Sequence, residues 1–322
     1  MVNVLIYGAG AIGSLVGYLL SEIGNGQEKA IENVALVGRK SHIKKIRENG
    51  LRIKLFDREG SFIFNYCFSS LDDLKSSIYS PDVVVVSVKT YSLARLFQDL
   101  IGSGLLSTKL KNADFILLMN GMGNREIFAL TSNHVYEAVT SNGVKFSQDG
   151  LIELRGMGET VFENSINPEM KCFMKERFEE KGFEIKFEAN FKNYQWNKLS
   201  VNSVINPITA LTGKQNGIVL SKYLERTIEE IVGECVDLAA EDGCQLDKSS
   251  VINLVYSVAS KTSLNTSSML QDLSKGKRTE IDSINGYIIR IARKYSKNVP
   301  VNETLYSLVK LIEANNVICQ TT

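Results

Sequence analysis

Long apolar runs are missing from this 322-residue chain. None approaches the roughly 20 residues that a bilayer crossing needs, so the sequence reads as that of a soluble protein. An excess of one charge is missing too: Lys plus Arg number 37 against 36 Asp plus Glu, a formal net charge of +1. That balance supplies no global field to attract nucleic acid or an acidic membrane surface, and any anion site must be local. Cysteines are few. The five (Cys67, Cys172, Cys235, Cys244, Cys319) are odd in number and form no CxxC pair. Neither a disulfide framework nor a zinc site is indicated, no metal is expected, and a reducing cytoplasm suits the chain. Basic residues are absent before Lys29, and three glycines interrupt the apolar opening at fixed spacing. Both features argue against a secretory leader.

What is present is ordinary globular composition, with 44% hydrophobic and 23% charged residues. The length exceeds that of a usual single core, so two domains are expected. In the first half, short apolar runs at Val2 to Tyr7, Val34 to Val37, Val83 to Val88 and Phe115 to Met119 read as buried strands. Helix-like stretches, Ser14 to Ile23 and Ser41 to Glu48, lie between them. Alternation of this kind predicts an α/β fold with a Rossmann-type, doubly wound parallel sheet. After about Asn142 come strands at Leu151 to Arg155 and Thr160 to Glu163, a charged helix MKERFEEKG, and FEIKFE. From Asn190 nearly everything has helical periodicity, as in Tyr194 to Leu211, Ser221 to Glu241, Ser249 to Thr262, Asp282 to Tyr295 and Glu303 to Ala314. The expected division is therefore 1–189, an α/β domain, and 190–322, an α-helical domain.

The string Gly8, Ala9, Gly10, Ala11, Ile12, Gly13 stands directly after the first strand and before SLVGYLLSEIG, a helical segment. In that setting Gly8 permits the tight turn, Gly10 lets the backbone approach a pyrophosphate, and Gly13 allows close packing of helix on strand. Amides at the helix start then hold the phosphate. The second strand ends in Gly38, Arg39 and Lys40, where an NAD enzyme usually places an Asp or Glu against the ribose 2′-hydroxyl. Two cations there favour a 2′-phosphate, and hence NADPH, over a plain solvated basic turn.

Carbonyl reduction also needs a proton donor. Of the two histidines, His42 falls beside the expected adenosine site and His134 precedes a strand at VYEAVT. Both read more readily as structural or solvated histidines. The segment YQWNKLSVNSVINPITALTG spaces Lys198, Asn202 and Asn206 by four, on one face of a helix among apolar neighbours. Lys198 protonating a carbonyl oxygen while the two amides hold substrate hydroxyls would explain them, with burial lowering the lysine pKa toward the working range. A helix-capping or domain-contact stripe explains them equally well.

With these residues in view, the chain resembles the ketopantoate reductase family. WNKLSVNSVINPITALTG is similar to its lysine-asparagine helix, SSMLQDLSKGKRTEIDSINGYI to a second signature, and NGMG at Asn120 to Gly123 and VKTY at Val88 to Tyr91 to two further blocks. The resemblance implies an all-α C-terminal domain of the 6-phosphogluconate dehydrogenase C-terminal kind. It also implies NADPH-dependent reduction of 2-dehydropantoate to pantoate, a step toward coenzyme A. By matched position it makes Lys198 the general acid, Asn202 and Asn206 ligands of substrate hydroxyls, Ser268 a carboxylate ligand and Glu280 the acid of the catalytic site. Asn120 and Lys89 fall between nicotinamide ribose and substrate. Other readings of these residues stay open: a helix N-cap for Ser268, a capping box with Lys277 or a surface ion pair for Glu280, and strand-ending turns for Asn120 and Lys89. Two departures stand out. The loop Glu22 to Asn33 is longer than usual for the family, and VTSNGVKF matches its block only loosely. A related 2-oxo or 3-hydroxy acid oxidoreductase is the next reading, and a non-catalytic NADP-binding sensor the third. A helical second domain often dimerises, so a homodimer is a further expectation.

Overall fold

The computed structural model describes residues 2–22, 30–56 and 58–318. Most of the long loop after Glu22 (residues 23–29) and Cys319 therefore lie outside the described residues. The chain divides into two compact units. One comprises residues up to Met119 together with Asn124–Ala189; the other joins Asn120–Gly123 to everything from Asn190 onward.

In the first unit, β1 (Val4–Tyr7), α1 (Ala11–Leu20), β2 (Ile31–Val37) and α2 (Lys40–Asn49) are followed by β3 (Leu51–Leu55), β4 (Arg58–Phe62) and β5 (Phe64–Phe68). Next come α3 (Leu71–Ser76), β6 (Val83–Val86), α4 (Leu93–Gly102), β7 (Asp114–Leu118) and β8 (Val135–Thr140). The unit closes with β9 (Gly143–Gln148), β10 (Leu151–Gly156), β11 (Thr160–Glu163), α5 (Pro168–Glu180) and β12 (Ile185–Glu188). The large sheet runs β12-β11-β8-β7-β6-β1-β2-β5. From β5 to β8 every neighbouring pair is parallel, and only β8 with β11 is antiparallel. Counted along the chain, the six strands from β5 to β8 take the doubly wound order 3-2-1-4-5-6. The runs VLIY and VVVV can be almost wholly apolar because both faces of the sheet are covered. One apolar cluster gathers α1, α2 and α5 on one face, with Leu15, Leu19, Ile43 and Phe178; the other gathers α4 with Leu93, Phe97 and Phe128.

A second, four-stranded sheet, β4-β3-β10-β9, packs beside α1. Its strands β3, β4 and β9, and β5 of the large sheet, escape the sequence reading. β3 alternates buried and exposed residues instead of running apolar, because only one face of the small sheet is covered.

The second unit is helical: α6 (Phe191–Thr212), α7 (Glu225–Glu241), α8 (Lys248–Lys261), α9 (Ser268–Leu273), α10 (Asn285–Lys294) and α11 (Pro300–Ile318). Among the described residues, no helix is long and apolar enough to cross a membrane. α6 is the central element, and its Trp196, Val204 and Ile208 join Ile231, Cys235, Val255, Ile288 and Val309 in one core. Buried polar residues are tolerated in α6 because Ser200, Ser203 and Thr209 return their hydroxyls to carbonyls of their own helix at 2.7–2.9 Å. Pro207 sits inside this helix and has no N–H for the carbonyl four residues back, that of Ser203. Asn285 Nδ2 of α10 donates to that carbonyl at 3.2 Å. A helix-breaking residue is thus accommodated by a buried amide 82 residues beyond the carbonyl it leaves unpaired.

Candidate active site

The turn after β1 has the form that a dinucleotide requires. Gly8 adopts φ +105°, which favours glycine, and its amide and that of Ala9 both donate to Val37 O. A Cβ at Gly13 would stand 2.2 Å from Gly8 O and 2.4 Å from Ser87 Oγ, so α1 can approach β1 this closely only with glycine there. A Cβ at Gly10 would meet nothing nearer than Gly8 O at 3.9 Å. The space above Gly10 is therefore an open cradle, and it faces a helix start that no side chain caps and that carries no acidic residue in its first turn. Orphan amides at Ala11, Ile12 and Gly13 in such a turn suit a pyrophosphate, and the residues present fit the cofactor.

Ser87, which the sequence reading passed over, donates from Oγ to Gly8 O at 3.0 Å and so holds the turn from the end of β6. Its signal was a hydroxyl closing an otherwise apolar strand. Lys89 follows at the same, carboxyl end of the parallel strands, half-buried, where doubly wound sheets bind ligands.

Gly38 packs against the glycine turn, its missing Cβ 3.1 Å from that of Ala9. Arg39 and Lys40 are exposed at the start of α2. The Arg39 guanidinium lies 4.9 Å over the ring of Phe146 in β9, and the same ring lies beside His42, with centroids 4.8 Å apart. His42 itself is structural. It is buried, its Nδ1 accepts the Gly150 amide at 2.8 Å, and its Nε2 lies 3.3 Å from Ser14 Oγ. Those partners require a neutral ring with the proton on Nε2, and burial depresses its pKa to about 4. His134 is exposed beside Asp114, where β7 and β8 begin, at the opposite end of the strands from the glycine turn.

The helical unit brings other residues together. On α6, Lys198, Asn202 and Asn206 follow one another at successive turns; the first two are half-buried and Asn206 is buried. Asn120–Gly123 lie against the turn after α9. Asn120 Nδ2 donates to Glu280 Oε2 at 3.2 Å, and the Met122 amide donates to Ser283 O at 3.2 Å. Gly121, at φ +74°, could not carry a side chain, since a Cβ would fall 2.2 Å from Ser283 O. Glu280 is buried, which rules out a surface ion pair for it. Ser268 is exposed in the first turn of α9, and the cap is its neighbour Ser267, whose Oγ accepts the Leu270 amide at 3.1 Å and meets Thr209 Oγ1 at 2.6 Å. The N-cap reading of Ser268 is thus off by one residue: the side chain turned inward at this helix start is Ser267.

Two family models match this chain: "Ketopantoate reductase PanE/ApbA" over residues 4–166 and "Ketopantoate reductase PanE/ApbA C terminal" over residues 190–313. The chain belongs to the ketopantoate reductase family. Relatives named 2-dehydropantoate 2-reductase include those of Pyrococcus horikoshii, 34% identical over 97% of this chain and 98% of the relative, and Halobacterium salinarum, 32% identical over 97% and 99%. Among solved structures, a PanE/ApbA family ketopantoate reductase from Ralstonia eutropha superposes with TM-score 0.85 at 26% identity, covering 98% of this chain and 99% of that one. A D-mandelate dehydrogenase solved with NADH and anilino(oxo)acetate shares the fold, with TM-score 0.84, 24% identity, and coverage of 98% and 99%. Within the family this chain has the Rossmann-type unit and the helical unit expected, and the family is one of oxidoreductases.

Proposed function

We propose that the protein reduces 2-dehydropantoate (ketopantoate) to (R)-pantoate with NADPH, on the way to pantothenate and coenzyme A. The observation that carries this reading is the buried Glu280, held by Asn120 and presented in the same helical unit as Lys198, Asn202 and Asn206, in a chain of this family. A sensor that only bound cofactor would have no need to keep a buried carboxylate and a lysine-asparagine row together.

Gly8, Ala9, Gly10, Ala11, Ile12 and Gly13 would hold the pyrophosphate, Arg39 and Lys40 the 2′-phosphate, and Lys89, Asn120 and Glu280 the nicotinamide ribose end. NADPH, when bound, supplies the hydride. Lys198 Nζ donates the proton that the reduced carbonyl oxygen must take up, so hydride plus proton convert the ketone to the alcohol. Asn202 and Asn206 orient the substrate through its hydroxyl groups, and Ser268 receives its carboxylate. Glu280 holds the site lysine in place. The cations at Arg39 and Lys40 are the ground for preferring NADPH to NADH. A cytoplasmic homodimer completes the proposal; light scattering of the purified protein tests the dimer.

The deciding experiment follows NADPH oxidation with ketopantoate beside a panel of other 2-oxo acids. Turnover of ketopantoate above the rest is expected. Turnover of another 2-oxo acid alone would assign the chain to a related oxidoreductase, and cofactor binding without any turnover would assign it to a sensor.

A further inference from the structure

Helix α11 does more than close the helical core. Its residues Tyr306, Lys310 and Glu313 fall on one face, and all three reach the turn that carries Glu280. Tyr306 Oη donates to Asp282 Oδ1 at 2.9 Å, and Lys310 Nζ lies 3.3 Å from Asp282 Oδ2. Glu313 Oε1 accepts the backbone amide of Thr279, the residue before Glu280, at 2.6 Å, while its Oε2 pairs with Lys310 at 2.9 Å. Glu313 is 9% exposed and Thr279 fully buried, so water does not compete for that amide. From the other side, the Ser283 amide and hydroxyl both donate to Glu280 O at 2.9–3.0 Å.

The carboxylate satisfies a buried amide and the Lys310 ammonium together. An apolar residue would fill the place between α11 and the turn, at the cost of one unpaired amide. What the carboxylate does is fix the Arg278–Thr279 peptide, one residue before the Cα that bears the Glu280 side chain. We propose that Glu313 is a positioning residue for Glu280: its bond to the Thr279 amide sets where the Glu280 carboxylate stands in the site. This rests on the reading of Glu280 given above.

The test compares two conservative variants of Glu313 in the full-length protein, with Glu280→Gln as reference. Glu313→Gln keeps side-chain length and an acceptor oxygen for the Thr279 amide while losing the charge. Glu313→Asp keeps the charge but is one methylene too short to reach. If Glu313 positions Glu280, the Gln variant holds kcat within about twofold, and the Asp variant loses about tenfold, the scale of a sub-ångström to ångström misplacement. KM for NADPH stays unchanged in the Gln variant and rises in the Asp variant, because Glu280 also stands at the nicotinamide ribose end in this reading. The double variant Glu313→Asp, Glu280→Gln should be no slower than Glu280→Gln alone, because a group already removed cannot be misplaced. Thermal melting of each variant separates misfolding from misplacement. The inference is overturned if the Asp variant keeps full kcat, if Gln is the more damaging change, or if the two losses multiply while Glu280→Gln is itself slow. If Glu280→Gln turns over normally, the reading of Glu280 falls, and the positioning role falls with it.

Discussion

Lowering the pH should weaken this fold through one residue, His42. The ring is 1% exposed, accepts the Gly150 amide on Nδ1 and stands against Ser14 on Nε2. Protonation at Nδ1 would break the first of these bonds and place a charge beside Arg39, and burial already holds the pKa at about 4 against the ordinary 6.5. The folded-state pKa lies below the unfolded one. Between about pH 6.5 and 4 the unfolded chain therefore binds a proton that the folded chain refuses, and stability falls as the pH falls through that window. A shift of this size corresponds to about 3 kcal/mol. The Asp149 carboxylate 4.0 Å from Nδ1, which draws the pKa upward, and the Arg39 charge, which lowers it, are already contained in that shift.

Urea unfolding at about pH 7, 6 and 5, for the native chain and for His42→Gln, reads the effect as a difference that cancels the carboxylates common to both. The native chain should lose stability across that range while the variant, whose amide does not titrate, stays flatter. The protein has only two histidines, so His134→Gln leaves a single imidazole whose titration NMR follows directly. A His42 titration midpoint near 6.5, or identical pH slopes for the native and His42→Gln proteins, would refute the argument that this ring is a neutral structural pin.

The other predictions concern the proposed chemistry and its supports. Lys198→Ala should leave NADPH affinity intact and lower kcat by roughly a hundredfold or more, the contribution of a general acid; unchanged turnover would remove Lys198 from that role. Arg39→Ala should raise KM for NADPH and hardly alter KM for NADH. Phe146→Ala, which removes the ring under the guanidinium, should do the same by about threefold, the scale of an exposed cation–π contact; equal effects on both cofactors would dismiss a 2′-phosphate contact. Gly13→Ala must push α1 away from Gly8 O and should weaken dinucleotide binding at least about tenfold by calorimetry. Asn285→Leu leaves the Ser203 carbonyl without its donor and should cost about 2 kcal/mol in urea unfolding, with Pro207→Ala, which restores an in-helix N–H, recovering part of it.

How much of this could be read from the sequence follows from the range of the interactions involved. The buried parallel strands announce themselves because both faces are covered, so their apolar runs are continuous; β3 and β4 do not, because a half-covered strand shares its alternation with many loops. α7 begins at Glu225, four residues after the periodicity at Ser221 suggests, because 216–220 and 222–224 wind more tightly as 3-10 turns. The short α9 is only six residues, too short for helical periodicity to show.

The two ends of the proposed site differ for the same reason. The pyrophosphate turn is a property of six consecutive residues, in which φ at Gly8 and the approach of Gly13 to Gly8 O demand glycine while Gly10 leaves open space for a ligand, so the sequence displays it complete. The acid end is assembled across the chain. Asn120 meets Glu280 across 160 positions, and Thr279 meets Glu313 across 34. No spacing rule links such partners, and what made Glu280 visible was a family resemblance, which marks residues that touch the chemistry. Residues that act one step removed, such as Ser87 behind the glycine turn and Glu313 behind Glu280, make their bonds to backbone atoms. A backbone amide or carbonyl is the same at every position, so its partner leaves no complementary residue type for a sequence pattern to reveal. Such supports become visible only when the fold shows which carbonyl or amide each side chain holds.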